Sequence, residues 1–198
     1  MRKLVVSEFL TLDGVMQAPG APDEDTEGGF EHGGWQLPYF DDVDPAVADG
    51  LAAADALVLG RKTYEIFASY WPTASEDEPF TERMNSIDKY VASRTLDAVD
   101  WQNSTLLEGD VADAVAELKR EPGGDLVVIG SGELVQTLMA NDLVDEYLLM
   151  VHPLVLGTGK RLFREGEPTG MKLVEVETTD SGVVDLTYEP TGKAEGTQ

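Results

Sequence analysis

Eight short runs of apolar and β-branched residues punctuate the chain, at 4–12, 55–59, 89–93, 105–107, 125–129, 146–152, 173–179 and 183–189. Each has strand length and is bounded by Gly, Pro, Asp or Ser. Between several of them the apolar period lengthens. In 110–119 the apolar residues fall at 111, 114, 115 and 118, one face of a helix that closes on Lys119 and Arg120. Residues 133–140 repeat the pattern with Leu134, Leu138 and Met139, and stop near Asn141. Residues 45–54 are alanine-rich, with Asp44 as N-cap and Pro45 in the first helical position. Strands that alternate with helices predict an α/β fold, a mostly parallel central sheet of about eight strands with helices on both faces. The last two runs are joined by Asp180-Ser181-Gly182, a hairpin signal, so the sheet is expected to end in a C-terminal antiparallel pair. No linker or repeat divides residues 1–190, read as one domain, and 191–198 are expected to be a flexible tail.

One segment lacks either period. Residues 13–44 are rich in Gly, Pro and acid, yet include Phe30, Trp35, Tyr39 and Phe40. Connections of this length tend to be lids, binding loops or inserts, and the aromatics favour an ordered flap. Trp35 and Tyr39 are candidates to wall a ring-shaped ligand, and packing of the flap on the core accounts for them equally well.

Composition narrows the classes. The 198 residues can bury a substantial core, and no apolar run reaches membrane-spanning length. The apolar stretch after Met1-Arg2-Lys3 is broken by Ser7 and Glu8, so it reads as a strand rather than a secretion signal. With no cysteine there is neither a disulfide framework nor a thiolate nucleophile. His32 and His152 are the only histidines, so no metal site is expected. The expected location is cytoplasmic. The formal charge of −24 argues against nucleic acid as a partner. In so acidic a chain, clustered cations stand out.

Three such places follow apolar runs. Gly60-Arg61-Lys62-Thr63 puts two cations in the first turn of a helix, where the macrodipole already carries about half a positive charge and opposes them by up to ~1 kcal/mol. Ser93-Arg94 follows the third run, and Gly130-Ser131-Gly132 leads from the fifth into Glu133, Leu134 and Val135. Ligands of α/β sheets bind outside the carboxyl ends of strands. If these strands are parallel, three cations and two helix N-termini share one rim, which suits an anion. Taken singly, each cation is better explained by pairing with a neighbouring acid such as Glu65.

At this point the residues resemble a family. Leu12-Asp13-Gly14, "LVLGRKTYE" (57–65), "VASRTL" (91–96), "IGSGELVQTLM" (129–139) and "DEYLLMVHPLVLGTGKRLF" (145–163) together are similar to the dihydrofolate reductase superfamily, and within it to the RibD C-terminal domain of riboflavin biosynthesis. The resemblance implies a reductase that transfers a hydride from NADPH to a small-molecule substrate. It implies that Gly60, Arg61, Lys62 and Thr63 approach the adenosine phosphates, and that Ser93 and Arg94 select the 2′-phosphate. Gly130, Ser131, Gly132, Glu133, Leu134 and Val135 would wrap the pyrophosphate. Asp13 and Gly14 would open the flap over the nicotinamide, and Asp41 or Asp42 would supply the proton. Members of this branch are often dimers, so a homodimer is the implied assembly.

The nearest reaction is that of the 5-amino-6-(5-phosphoribosylamino)uracil reductase. Two departures keep the substrate open among pterins, folates and other small heterocycles or carbonyl compounds. Ile129 stands where that branch tends to carry an acid, and 60–72 lack its Asp-Asp-Pro stretch. A module that binds NADPH without turnover is the alternative from another class. Lys160 and Arg161 are expected to pair with the acidic surface rather than with a substrate phosphate.

Overall fold

The order of strands carries the logic of this chain. In the computed structural model, which describes residues 1–39, 45–164 and 168–193, eight strands form one sheet in the order β4-β3-β2-β5-β1-β6-β8-β7. They are β1 Leu4–Thr11, β2 Ala54–Gly60, β3 Asp88–Ala92, β4 Ser104–Leu106, β5 Asp125–Ile129, β6 Glu146–His152, β7 Thr169–Thr178 and β8 Val184–Lys193. The helices are α1 Pro45–Ala53, α2 Arg61–Tyr70, α3 Thr81–Ser86, α4 Val111–Arg120 and α5 Gly132–Ala140. Contacts divide the chain into two compact units, Met1–Val6 with Pro45–Val144, and Ser7–Asp44 with Asp145–Gln198.

In the first unit β2 pairs in parallel with both β3 and β5, and β3 in parallel with β4. The core of β2 is Leu57, Val58 and Leu59, all fully buried, as expected of a strand covered on both faces. Parallel neighbours must be joined by right-handed crossovers. The step from β2 to β3 and the return from β4 to β5 run in opposite directions, so α2 and α4 cover opposite faces. α4 packs on α5, which shares its side. The short α3, with left-handed Phe80 before it, gave no periodic signal in the sequence.

The second unit is antiparallel where its pairing is specified: β8 lies between β6 and β7. The turn at 179–183 closes through Thr179 N–H to Val183 O at 3.0 Å, with Gly182 at φ 87°. The expected hairpin is therefore present, but it is longer than the periodicity indicates. β8 continues through Pro190 to Lys193, so part of the expected tail is strand, while 194–198 lie outside the described residues. Pro190 is tolerated because the pairing to β6 ends at Tyr188, leaving a neighbour on one side only. A register shift at Gly170/Met171 accommodates it.

Candidate functional site

Because β3, β2 and β5 are adjacent and parallel, their carboxyl ends share one edge of the first unit. Gly60 pairs with Ala92 at the end of β2 and β3, which places Ser93-Arg94 beside Gly60-Arg61-Lys62. The turn after β5 is fastened directly to the turn after β2. Ser131 Oγ accepts from Gly60 N–H at 2.9 Å and donates to Ile129 O at 2.9 Å, while Ser131 N–H donates to Thr63 Oγ1 at 3.0 Å. Ser131 holds the left-handed region (φ 62°, ψ 36°), a conformation that costs a non-glycine residue about 1–2 kcal/mol. Its three hydrogen bonds offset that strain. Gly130 is also left-handed (φ 56°), and a Cβ there would sit 3.1 Å from Thr63 Oγ1. Two turns this close need a residue without a side chain at the crossing.

Helices α2 and α5, which follow β2 and β5, start without a capping side chain. Gly60 precedes α2 and has none to offer; Ser131 precedes α5 and spends its hydroxyl on the strap just described. Helix α4 of the same unit is different: Asp110 Oδ1 accepts from Ala112 N–H at 2.9 Å and Asp113 N–H at 3.2 Å. One helix thus has terminal amides bonded by its N-cap side chain, and two begin without such a bond at a rim where Arg61, Lys62 and Arg94 are exposed. Arg61 reaches Glu65 only at 3.9 Å, a half-exposed pair that contributes a few tenths of a kcal/mol. Ser93 Oγ accepts from Thr95 and Leu96 N–H at 3.1 and 3.0 Å, which fixes the turn and leaves its proton to donate.

The remaining expected residues here play supporting parts. Leu134 and Val135 are buried, α5 packs on β2, and Val135 N–H is bonded to Ser131 O, so their side chains belong to the core. Glu133 is exposed in the first turn of α5.

In the second unit the flap is ordered over its described part. Val15, Ala18, Phe30 and Trp35 form a buried cluster against Phe9, Leu154 and Leu156. Trp35 is a core residue, with Nε1–H donating to Gln17 O at 2.7 Å. Together with Phe9 and Tyr39 it surrounds His152, the three ring centroids lying 5.8, 5.1 and 5.6 Å from the imidazole for Phe9, Trp35 and Tyr39. His152 Nδ1 donates to Met150 O at 3.0 Å, so that nitrogen carries its proton. Gly159 is needed at φ 121°, because a Cβ would meet Val15 at 2.6 Å.

Asp13 is a strap. It accepts from Thr11 Oγ1 at 2.6 Å and from Leu156 and Gly157 N–H at 3.2 and 2.9 Å, and pairs with Arg161 at 3.3 Å. The Thr11 hydroxyl foremost, then the two amides, overcome partial desolvation and hold its carboxyl down at about 2. An acid so firmly ionised does not deliver a proton near neutrality. Gly14 N–H bonds Thr11 O and leaves the turn with φ 77°. Lys160 pairs with Asp25 and Glu27, as expected of the acidic surface; burial opposes its charge, but the two carboxylates outweigh that and raise its pKa. Asp41 and Asp42 lie outside the described residues.

Sequence reasoning missed two organisers. Gln17, buried, donates through Nε2 to Asp25 O and Glu27 O and accepts from Lys160 N–H, each at 3.0 Å. Its only sequence signal is a lone amide between apolar neighbours. The doubled use of Ser131 has no signal beyond its place between two glycines.

Comparisons with known proteins show the family and the fold. The sequence model of the RibD C-terminal domain matches residues 2–184, and the chain belongs to that family. Its relatives include the uncharacterized protein YyaP of Bacillus subtilis (strain 168), 32% identical over 197 residues with 96% of each chain covered. YwjB of the same organism is 28% identical over 165 residues, covering 83% of this chain and 84% of YwjB. Among solved structures, a putative riboflavin biosynthesis protein from Shewanella sp. PV-4 superposes with a TM-score of 0.73 at 24% identity, covering 96% of this chain and 99% of its own. A pyrimidine reductase-like protein from Corynebacterium diphtheriae does so with a TM-score of 0.58 at 12% identity, covering 96% and 92%. These two likenesses show the dihydrofolate reductase-like fold.

Proposed function

We propose that this chain is an NADPH-dependent reductase of a small heterocycle. The observation that supports it most is the shared edge of β3, β2 and β5. There two uncapped helix N-termini are strapped together by Ser131 and Thr63, beside the exposed Arg61, Lys62 and Arg94. The fit to a dinucleotide is chemical. Terminal amides of α2 and α5 suit a pyrophosphate, Gly60 and Gly130 allow close backbone approach, and Arg94 with the Ser93 hydroxyl suits a phosphate monoester. Bound there, NADPH supplies a hydride that, with one proton, converts C=N or C=O to CH–NH or CH–OH and leaves NADP+. The chain's own part is to hold the phosphates, orient the ring and exclude water. Asp41 and Asp42 are the carboxylates proposed to give the proton.

Titration of the protein with NADPH and NADH in parallel, read by the transfer of tryptophan excitation to the nicotinamide, tests the cofactor assignment. Saturable NADPH binding at least ~10-fold tighter than NADH is expected; equal affinity for the two would remove the role of Ser93 and Arg94. Following NADPH oxidation with pterins and aminopyrimidines then separates an enzyme from a binding module. Asn variants of Asp41 and Asp42, assayed one at a time, identify the donor as the variant that keeps NADPH binding and loses turnover.

A further inference from the structure

The outer strand of the second unit has a neighbour on one side only. β7 ends the strand order, is ten residues long, contains no proline and pairs with β8 alone. Natural edge strands are commonly short or interrupted, because their unpaired N–H and C=O groups are a template for another strand. Here every residue from Lys172 to Thr178 is exposed, including Leu173, Val174 and Val176 at 47%, 49% and 53%. The register sorts these residues. Leu173 faces Tyr188 and Glu175 faces Thr187, so Val174 is an extra residue, a β-bulge. The bulge resets the alternation. Met171, Leu173, Val174 and Val176 share one face, beside Pro190, Tyr188 and Leu186 of β8. Lys172, Glu175 and Glu177 share the other, where Lys172 pairs with Glu189 at 3.4 Å. Without the bulge, positions 172 and 175 would lie on opposite faces.

We propose that β7 pairs antiparallel with β7 of a second copy of this chain, about a twofold axis between Leu173 and Val174. In that register Lys172 stands opposite the partner's Glu175, Leu173 opposite the partner's Val174 and Met171 opposite the partner's Val176, each pair occurring twice. Glu177 stands opposite the partner's Gly170, which has no side chain to repel it. Lys172 then lies between Glu189 of its own sheet and the partner's Glu175. A slip of two residues sets Val174 against the partner's Glu175, or Lys172 against the partner's Leu173, and loses the match. A strand that complements itself in this way fits a copy of itself better than an unrelated protein. The chain's own neighbouring residues do not serve instead: 165–167 are Glu-Gly-Glu and 194–198 are Ala-Glu-Gly-Thr-Gln, with a single alanine as their apolar content. The proposal goes beyond a homodimer as such, because it fixes the strand, the axis and the register, and it does not rest on the cofactor assignment.

Sedimentation of the purified chain between about 1 and 100 μM is the first test. The mass of two chains is expected at the upper end, and a single chain throughout overturns the proposal. Leu173→Glu combined with Val176→Glu changes exposed positions and should leave a folded monomer with an unchanged circular dichroism spectrum. A dimer that survives this double variant lies elsewhere and overturns the proposal. Charge reversal reads the register. Lys172→Glu or Glu175→Lys alone sets like charges opposite each other twice, and should raise the dissociation constant at least ~10-fold. Combined, they restore opposite charges, and the dissociation constant should return to within about threefold of the parent. The pair with Glu189 is lost in monomer and dimer alike, so it does not disturb the reading. Two copies packed through the apolar face would be weakened by the two glutamates yet ignore the reversals, and that outcome overturns the edge pairing.

Discussion

The two edges of the first unit's parallel sheet use the same residue types for opposite ends. At the amino-terminal edge, Arg83, Lys89 and Lys119 point their donors at carbonyls near the carboxyl ends of α1, α3 and α5, and Arg2 does so just past α4. That is where helices leave carbonyls without partners and where the macrodipole is negative. At the opposite edge Arg61 and Lys62 stand in the first turn of α2, where the dipole is positive, and remain exposed. The first group obeys local electrostatics and the second opposes it. Cations that follow the dipole explain themselves by stability; exposed cations that oppose it are placed to meet an anion. The comparison predicts that the two groups separate cleanly when mutated, one affecting folding and the other binding.

The largest effect is expected from Arg61→Ala combined with Arg94→Ala. A hydrogen bond to a charged group contributes about 1.5–3 kcal/mol, so losing two should weaken NADPH binding by at least ~100-fold. The side chains are exposed, and thermal unfolding should move by no more than about 1–2 °C. Titration and melting of the same sample check both halves. An unchanged NADPH affinity would break the comparison at its functional edge.

Next comes Lys89, whose fully buried ammonium lies 4.1 Å from the Trp101 ring centroid. Lys89→Ala leaves a void and two carbonyls without donors, and should destabilise by about 3 kcal/mol in denaturant unfolding. NADPH affinity of the folded protein should stay within about twofold. Lys89→Met fills the void and should lose less. Burial, helped by Arg83 and opposed by Asp88, lowers the Lys89 pKa to about 8 from 10.5. Below pH 8 both folded and unfolded chains hold the proton, and folding carries the full penalty of burying the charge. Between about 8 and 10.5 the folded chain releases it first, so this group makes stability rise with pH, by at most ~1.4 kcal/mol per unit. The methionine variant should lack that rise.

How far the sequence foretells this depends on the range of the interaction. Strand and helix positions are local, and the period of apolar residues finds all eight strands within a few residues. The rim is legible because Gly60, Ser93 and Gly130 each end an apolar run, and the parallel order that unites them follows from alternation of strands and helices. What local pattern does not carry is contact between residues far apart in the chain. Ser131 fastening Gly60, Gln17 holding Lys160 N–H, and Asp13 bonding Gly157 all depend on tertiary approach. Trp35 illustrates the same limit: its sequence neighbours do not foretell that it is buried against His152.

A smaller effect, intermediate in kind, is expected from Ser131→Ala. The left-handed backbone persists while two side-chain hydrogen bonds disappear, including the one that ties Gly60 N–H. Stability should fall by about 1–2 kcal/mol. NADPH affinity should fall by about 3–10-fold, since the two helix N-termini lose their strap and part of their preorganisation. Ser131→Gly relieves the strain without restoring the strap. It should recover stability and leave affinity low, and recovery of both would mean that the strap serves folding alone.

The smallest effect provides the control. Asp110 caps α4, which leaves this sheet's carboxyl edge with two first-turn amides bonded by that side chain. Asp110→Ala should cost about 1 kcal/mol of stability, the ordinary value of an N-cap. It also leaves α4 uncapped like α2 and α5, but with no cation in its first turn, which runs Val111-Ala112-Asp113. If exposed amides alone attract a dinucleotide, removing Asp110 should create new NADPH or phosphate binding. If amides and cations must act together, as at α2 with Arg94 beside it, the variant should melt earlier and bind NADPH with unchanged stoichiometry and affinity. Calorimetric stoichiometry decides between the two, and a second equivalent of bound nucleotide would show that the cations of the rim are dispensable.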